Sequence, residues 1–417
     1  MDVKPVYLVM ITENNNNKYY NCQPNGDGTF TVKYGRVGGH ESTAVYPMSK
    51  WTSQINSKLK KGYVDNSALM QDVIDDSKVE EKKDNSVDEF DLIKSPSVKE
   101  VMRRLFDYAN KVVQSAYKVS STVVTQAMVD KAQEYIDDLS NAYETLNVKQ
   151  FNDILIKIFT TIPRKMSVVK DYQATDKKDF AKIIEREQET LDAMRGQVYK
   201  KIEKKTSSEV EPTMETINIL DKMGITMEEA SAEDVEKIKK AMGDVADKFY
   251  KAWKVTNHET EEKYKKFISE NNIGNIKLTC HGSRNQNWFN ILRTGLKIRP
   301  AGVILTGSMF GYGLYYSNPD KWHGVAKSIG YTSLGGYWSR EYQKTGFLAF
   351  FETALGPSYD VYSFDSKYYN FDLKKLKEAK SDAWHLFAHG NTNMLRNDEI
   401  IIYNDAQTTI RYLVEIR

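Results

Sequence analysis

The spacing of apolar residues changes twice along the chain, and this limits the fold more than any single motif. The first seventy residues read as short β-segments: "VYLVMIT" (Val6–Thr12), "KYYNCQ" and "TFTVKYG". Asn14–Asn17 and the turn-forming Pro24–Gly28 separate them. "SKWTSQINSKLKKGY" (Ser49–Tyr63) has the pattern of one amphipathic helix. Residues 71–95 are charged and poor in aromatics, which predicts a solvated linker. The period then becomes helical. Val98, Val101, Met102, Leu105, Phe106 and Ala109 fall on one face, and Ala132, Tyr135, Ile136, Leu139, Ala142 and Tyr143 on another. Phe151–Lys165, halted near Pro163, and Lys177–Ile202 complete a helical bundle. Ser231 with Asp234 predicts a capped helix before Ala241. From about residue 245 the text turns β-rich, with short helices between the strands. The expected fold is multidomain α+β. A small β-rich domain spans 1–70, a linker 71–95, an all-α bundle 96–205, and an antiparallel β-rich domain 206–417.

The length of 417 residues agrees with more than one core. The net charge of +2 leaves no overall basic field, so any nucleic-acid contact must come from a local patch. Two cysteines, Cys22 and Cys280, cannot build a disulfide framework or a Cys-based zinc site. They fit a reducing, intracellular setting, and no secretory signal is read. "FLAFF" (Phe347–Phe351) is too short to span a bilayer. The 26 tyrosines combine an apolar ring with a hydroxyl, which suits ligand-facing surfaces.

Three segments carry chemistry. His281-Gly282-Ser283-Arg284 follows a strand; alone it reads equally well as a turn. Gly307, Gly311 and Gly313 crowd a loop just before a strand. No Lys-Ser/Thr pair closes that loop and no long helix follows, so a P-loop or a dinucleotide-binding βαβ unit is excluded. Glu399 opens an otherwise apolar strand, where a carboxylate is costly unless paired or used. His323, His385 and His389 have no partner at metal-ligand spacing, so no metal site is expected. "AHGN" (Ala388–Asn391) reads as a loop before the last strands.

In their order, "CHGSRNQNWFNILRTGLKI", "MFGYGLYYS", "AKSIGY", "ETALG" and "NDEIIIYNDAQ" resemble the poly(ADP-ribose) polymerase family of ADP-ribosyltransferases. The resemblance implies a His-Tyr-Glu catalytic set at His281, Tyr315 and Glu399, with NAD⁺ as substrate. Tyr316 stands where the family often has phenylalanine. By the same resemblance Gly282 and Ser328 would meet the nicotinamide carboxamide, and Tyr315 and Tyr331 would flank the ring. Ser283 and Asn287 would lie toward the adenosine half. Met309 would belong to an acceptor site.

Upstream, residues 96–205 resemble the family's regulatory helical domain. "TFTVKYGRVGGHEST" resembles its WGR domain, named for Trp-Gly-Arg, with Tyr34-Gly35-Arg36 in place of that triplet. The resemblance implies contact with DNA ends or breaks through Tyr34, Gly35, Arg36 and Lys33, with Lys50, Lys58, Lys60 and Lys61 as further phosphate contacts. The implied function is NAD⁺-dependent poly(ADP-ribose) synthesis on protein or nucleic-acid acceptors. Two alternatives stand beside it: transfer of a single unit, and a nucleic-acid-end-binding scaffold with a silent transferase domain. The implied setting is the nucleus of a eukaryote, or the cytoplasm for a bacterial or viral protein.

Overall fold

A computed structural model of the chain describes residues 3–70, 88–116, 124–142, 144–195, 217–298, 309–320, 324–337, 339 and 341–417. They pack as two compact units, 1–86 with 110–198 and 87–109 with 199–417. The packing therefore divides residues 96–205 between units instead of keeping them as one bundle.

The first unit opens with β1 (Val6–Ile11), β2 (Asn17–Pro24), β3 (Thr29–Arg36), β4 (Glu41–Pro47) and the short β5 (Val64–Asp65). They form one antiparallel sheet in the order β4-β3-β2-β1-β5. Alternation along β2 and β3 sends Tyr20, Cys22, Phe30 and Val32 into one core with Leu8. Helix α1 (Trp51–Leu59) covers that face, with Trp51 edge-on to Phe30 at 5.0 Å. Helix α2 (Pro96–Ala116) crosses the division between units at residue 109. Within the first unit follow α3 (Gln126–Ala142), α4 (Val148–Thr161) and α5 (Phe180–Arg195). Asn147 and Gln150 form a capping box at the start of α4. Phe151 and Phe180 stack at 3.9 Å between α4 and α5. Arg164, just past α4, meets Glu187 of α5 at 2.5 Å with both side chains buried. The part of the fourth expected helix beyond Arg195 and the bulk of the expected linker (71–87) lie outside the described residues.

The second unit is built on nine strands in the order β11-β12-β13-β9-β8-β10-β14-β7-β6. In chain order these are β6 (Ile225–Glu229), β7 (Phe249–Asn257), β8 (Ile276–Ser283), β9 (Leu314–Ser317), β10 (Gly346–Ala354), β11 (Ser358–Val361), β12 (His385–Ala388), β13 (Glu399–Ile402) and β14 (Thr408–Ile416). Every adjacent pair is antiparallel except β11–β12. The helices are α6 (Ile219–Met223), α7 (Ala232–Met242), α8 (His258–Asn271), α9 (Trp288–Thr294), α10 (Ala326–Gly330) and α11 (Leu373–Ala379). The expected cap on α7 is present: Ser231 and Asp234 each bond the other's backbone N–H. Helix α8 lies inside the stretch expected to be β-rich. Only Tyr264 and Phe267 of it are buried, so its apolar stripe is faint in a run of charges.

The main core gathers Val98, Val101, Met102 and Leu105 of α2 with Trp253, Trp288, Phe289, Phe347 and Ile400. Residues 88–95 correct the linker expectation. Phe90 and Ile93 are buried in this core, and Arg103 bonds Asp88 and Asp91. Two large apolar side chains within a charged run were enough to seat it. Arg104 makes a two-pronged pair with the buried Glu415 of β14 at 2.9 and 3.0 Å.

Candidate active site

Three neighbouring strands at the middle of the large sheet, β8, β9 and β13, carry His281, Tyr315 and Glu399. Cys280 of β8 pairs with Ser317 of β9, and Ser317 pairs with Glu399 of β13. A central strand is held by ladders on both sides, so side chains placed there move little. His281 Nδ1 lies 3.0 Å from the Tyr315 carbonyl. That contact fixes the Nδ1–H tautomer of the neutral ring and makes Nε2 the acceptor nitrogen.

The loop before β9 is locked by two tyrosine hydroxyls. Phe310 N–H donates to Tyr315 Oη, which donates to the Gly311 carbonyl, both at 2.9 Å. Tyr403 Oη donates to the Phe310 carbonyl at 2.7 Å. Gly311 sits at φ 77° against the backbone of Phe371, where a Cβ would fall 2.1 Å from the Phe371 oxygen. Only glycine meets both demands. Gly282 is equally constrained: a Cβ there would lie 1.9 Å from the Ser328 carbonyl oxygen. The backbone of the His-Gly turn thus runs directly against α10.

Ser328 is 4% exposed. Its Oγ lies 2.6 Å from Ser317 Oγ and donates to the Cys280 carbonyl at 3.2 Å. Tyr331 follows α10, its N–H bonded to the Ser328 carbonyl at 3.1 Å, and burial raises its phenol pKa. Asn287 Nδ2 donates to Ser283 Oγ at 2.9 Å, and Trp288 Nε1 donates to the Ser283 carbonyl. These contacts place the two residues together at the foot of α9.

Glu399 is 3% exposed and ion-pairs with Lys327 of α10. Among the described residues its Oε2 has no hydrogen-bond partner. Burial lowers the Lys327 ammonium to about 8, against the pull of the carboxylate beside it. Lys327 was not singled out from the sequence, although a lone cation in the short stretch "AKSIGY" beside Ser328 was the available signal. The site therefore offers a nearly dry carboxylate with one unused oxygen, an imidazole of fixed tautomer, and backbone brought close by glycine. Such a set can bind ribose hydroxyls and stabilise positive charge on a sugar ring. Among the described residues, no three His, Cys, Asp or Glu side chains gather as metal ligands.

In the first unit, Tyr34 is 38% exposed and its ring lies 5.8 Å from that of Tyr20. Gly35 pairs with Tyr19 and Glu41, and Lys33 lies 3.8 Å from Glu41. Arg36 is heavily engaged. Its guanidinium donates to the carbonyls of Asn15, Met166 and Ser167 and to Asn15 Oδ1, each at 2.9 Å. It braces the segment after α4 inside its own unit.

The fold and these side chains define a transferase that acts on the ribose of a nucleotide. Residues 229–417 match the model of the poly(ADP-ribose) polymerase catalytic domain. The uncharacterized protein 101L of Invertebrate iridescent virus 6 is 34% identical over 195 residues, 47% of this chain and 78% of that protein. The poly [ADP-ribose] polymerase-like protein 100L of the same virus is 32% identical over 173 residues, covering 40% of this chain and 86% of that protein. Poly [ADP-ribose] polymerase 2 of Homo sapiens is 29% identical over 181 residues, 38% of this chain but only 29% of that protein. The chain belongs to the poly(ADP-ribose) polymerase family. It is an ADP-ribosyltransferase, and NAD⁺ is its substrate. No helix among the described residues is long and apolar enough to cross a membrane.

Proposed function

We propose that this transferase adds ADP-ribose units repeatedly, to protein or nucleic-acid acceptors, and that DNA ends or breaks raise its activity. The observation that carries the catalytic part is Glu399, buried at the head of β13 beside the strand of Tyr315, with Lys327 as its counter-ion. The bond broken is the nicotinamide glycosidic bond, and positive charge develops on the ribose as it loosens. The Glu399 carboxylate stabilises that charge and holds a ribose hydroxyl. His281, oriented by the Tyr315 carbonyl, holds a second hydroxyl. Tyr315 and Tyr331 flank the nicotinamide, while Gly282 and Ser328 meet its carboxamide. Ser283 and Asn287 lie toward the adenosine. Tyr34, Gly35, Arg36 and Lys33 form the DNA contact, within a WGR-like module over 1–70. A helical regulatory region follows over 96–205, and the transferase domain over 206–417. The setting is the nucleus for a eukaryotic protein and the cytoplasm for a bacterial or viral one.

The engagement of Arg36 with Met166 and Ser167 favours a second reading of the N-terminal unit, as a brace that leaves activity indifferent to DNA. The test is nicotinamide release from NAD⁺, with and without nicked or blunt DNA, with products resolved on a denaturing gel. A DNA-stimulated ladder is expected. A single added unit, or a rate that ignores DNA, overturns the corresponding half. Glu399→Gln is expected to abolish the ladder while NAD⁺ still binds. Equal loss of binding and turnover would refute the role given to Glu399.

A further inference from the structure

The ladder between β8 and β10 stops at Ser283, which pairs with Phe347. Arg284 falls outside the strand, and Asn285–Asn287 form one helical turn that leads into α9. The segment after Tyr331 holds this turn in place of a strand. Ser333 Oγ accepts from the Asn285 N–H at 2.9 Å. Asn285 Nδ2 donates to Gln343 Oε1 and to the Thr345 carbonyl, both at 3.0 Å. Asn285 and Ser333 are both fully buried.

Glu341 gathers the two segments. Ser333 Oγ donates to Glu341 Oε2 at 2.5 Å, and Gln286 Nε2 donates to Oε1 at 3.2 Å. Arg284 Nε stands 4.0 Å from the same Oε1. The Glu341 N–H donates to Ser339 Oγ at 3.2 Å, and the Gln343 N–H to the Ser333 carbonyl at 2.8 Å. The carboxylate thus sits on a segment folded back on itself. An ionised carboxylate only accepts hydrogen bonds, and here donors from both segments converge on its two oxygens. Ser333 gives its one proton to Glu341, so its lone pairs are left for the Asn285 N–H, and the charge strengthens both links.

We infer that Glu341 is a positioning residue for NAD⁺. It ties the turn after Ser283 to the segment that follows Ser328 and Tyr331, and so fixes the spacing between the adenosine and nicotinamide ends of the dinucleotide. This rests on the reading that places Ser283 and Asn287 toward the adenosine, and Ser328 and Tyr331 at the nicotinamide. Asn287 is tied into the clamp, since its N–H donates to the Arg284 carbonyl and its Nδ2 to Ser283 Oγ. His281 and Glu399 lie on paired strands, outside the clamp. Loosening Glu341 therefore weakens the hold on substrate and leaves bond breaking alone, which raises KM without lowering kcat.

The test is release of labelled nicotinamide across a range of NAD⁺ concentrations, with unlabelled nicotinamide and ADP-ribose as competing ligands. Glu341→Ala is expected to raise KM about tenfold, the worth of one charge-assisted hydrogen bond, with kcat within about twofold. Inhibition by nicotinamide, which fills one end only, is expected to stay the same, while inhibition by ADP-ribose weakens in step with KM. Glu341→Gln keeps one acceptor oxygen but sets an N–H against a donor, so KM is expected to rise by only about threefold. Ser333→Ala removes one hydroxyl and is expected to raise KM as well; it decides the matter if circular dichroism shows Glu341→Ala to be unfolded. An unchanged KM with only a lower melting temperature overturns the proposal, because that is a structural role alone. So does an equal weakening of nicotinamide and ADP-ribose. Asn287→Ala separates the two readings. A raised KM there with none in Glu341→Ala overturns the clamp. A raised KM in Glu341→Ala with none in Asn287→Ala supports the clamp and removes Asn287 from the adenosine contact.

Discussion

Lys327→Met removes the charge beside Glu399 and keeps most of the stem. Glu399 is 3% exposed, and among the described residues its Oε2 has no hydrogen-bond partner to take over. Breaking a buried pair by deleting one member costs about 3–5 kcal/mol. Protonating the carboxylate relieves that cost at 1.36 kcal/mol per pH unit. The acid limb of the pH–rate profile should therefore move up by about two to four pH units. Protonated Glu399 cannot stabilise a positive ribose, so nicotinamide release near neutral pH should fall by up to about tenfold and recover as pH rises. Above about pH 8 Lys327 loses its own proton while Glu399 keeps its charge, so the profiles of the unmodified chain and the variant should converge at the alkaline end. Stability supplies an independent check. A carboxylate whose folded pKa is raised contributes stability at low pH and loses it as pH rises. The melting-temperature deficit of Lys327→Met should therefore shrink toward acid. The assay is kcat/KM for NAD⁺ across about pH 5 to 9.5, with thermal melts at the same points. Superimposable profiles for the two proteins would show that Lys327 does not govern the state of Glu399.

Gly282→Ala places a Cβ 1.9 Å from the Ser328 carbonyl oxygen, so β8 and α10 must part; kcat/KM for NAD⁺ should drop about 100-fold, measured by nicotinamide release. Arg164→Met removes the partner of Glu187 Oε2 and leaves Arg186 on Oε1, so it should cost up to about 3 kcal/mol in urea unfolding of the first unit. Restoring an apolar partner with Glu187→Leu in the same chain should return much of that loss. Arg36→Ala frees the carbonyls of Met166 and Ser167, and hydrogen exchange in residues 164–170 should rise markedly.

Part of this was legible in the chain and part was not, for physical reasons. Strand and helix periods are local, so β1 to β3, α4 and the capped α7 could be read directly. The His-Gly turn and the glycine loop were legible because glycine leaves a visible mark where backbones touch, as at Gly282 and Gly311. Phe90 and Ile93 misled because a charged run dilutes two anchors that a distant core then buries. Helix α8 misled because its buried stripe is only Tyr264 and Phe267. The division of α2 between two units could not be read at all. Nothing within one helix tells which surface will cover each end.

Lys327 shows the same limit in the site itself. The residue types around Glu399 are set by local motifs, but the charge balance is set by a contact spanning 72 positions, from α10 to β13. A buried carboxylate in a purely apolar strand end would be protonated or unfolded. Its presence at Glu399 therefore implied that a cation lay close by, without saying which. The chain holds 59 lysines and arginines, so the sequence offers many candidates. Lys327 lies on α10, against which Gly282 packs, and burial draws it down to about 8 while it still faces the carboxylate. A strand for Glu399 and a helix for Lys327 keep the pair in place, where a flexible Glu399 would swing to water.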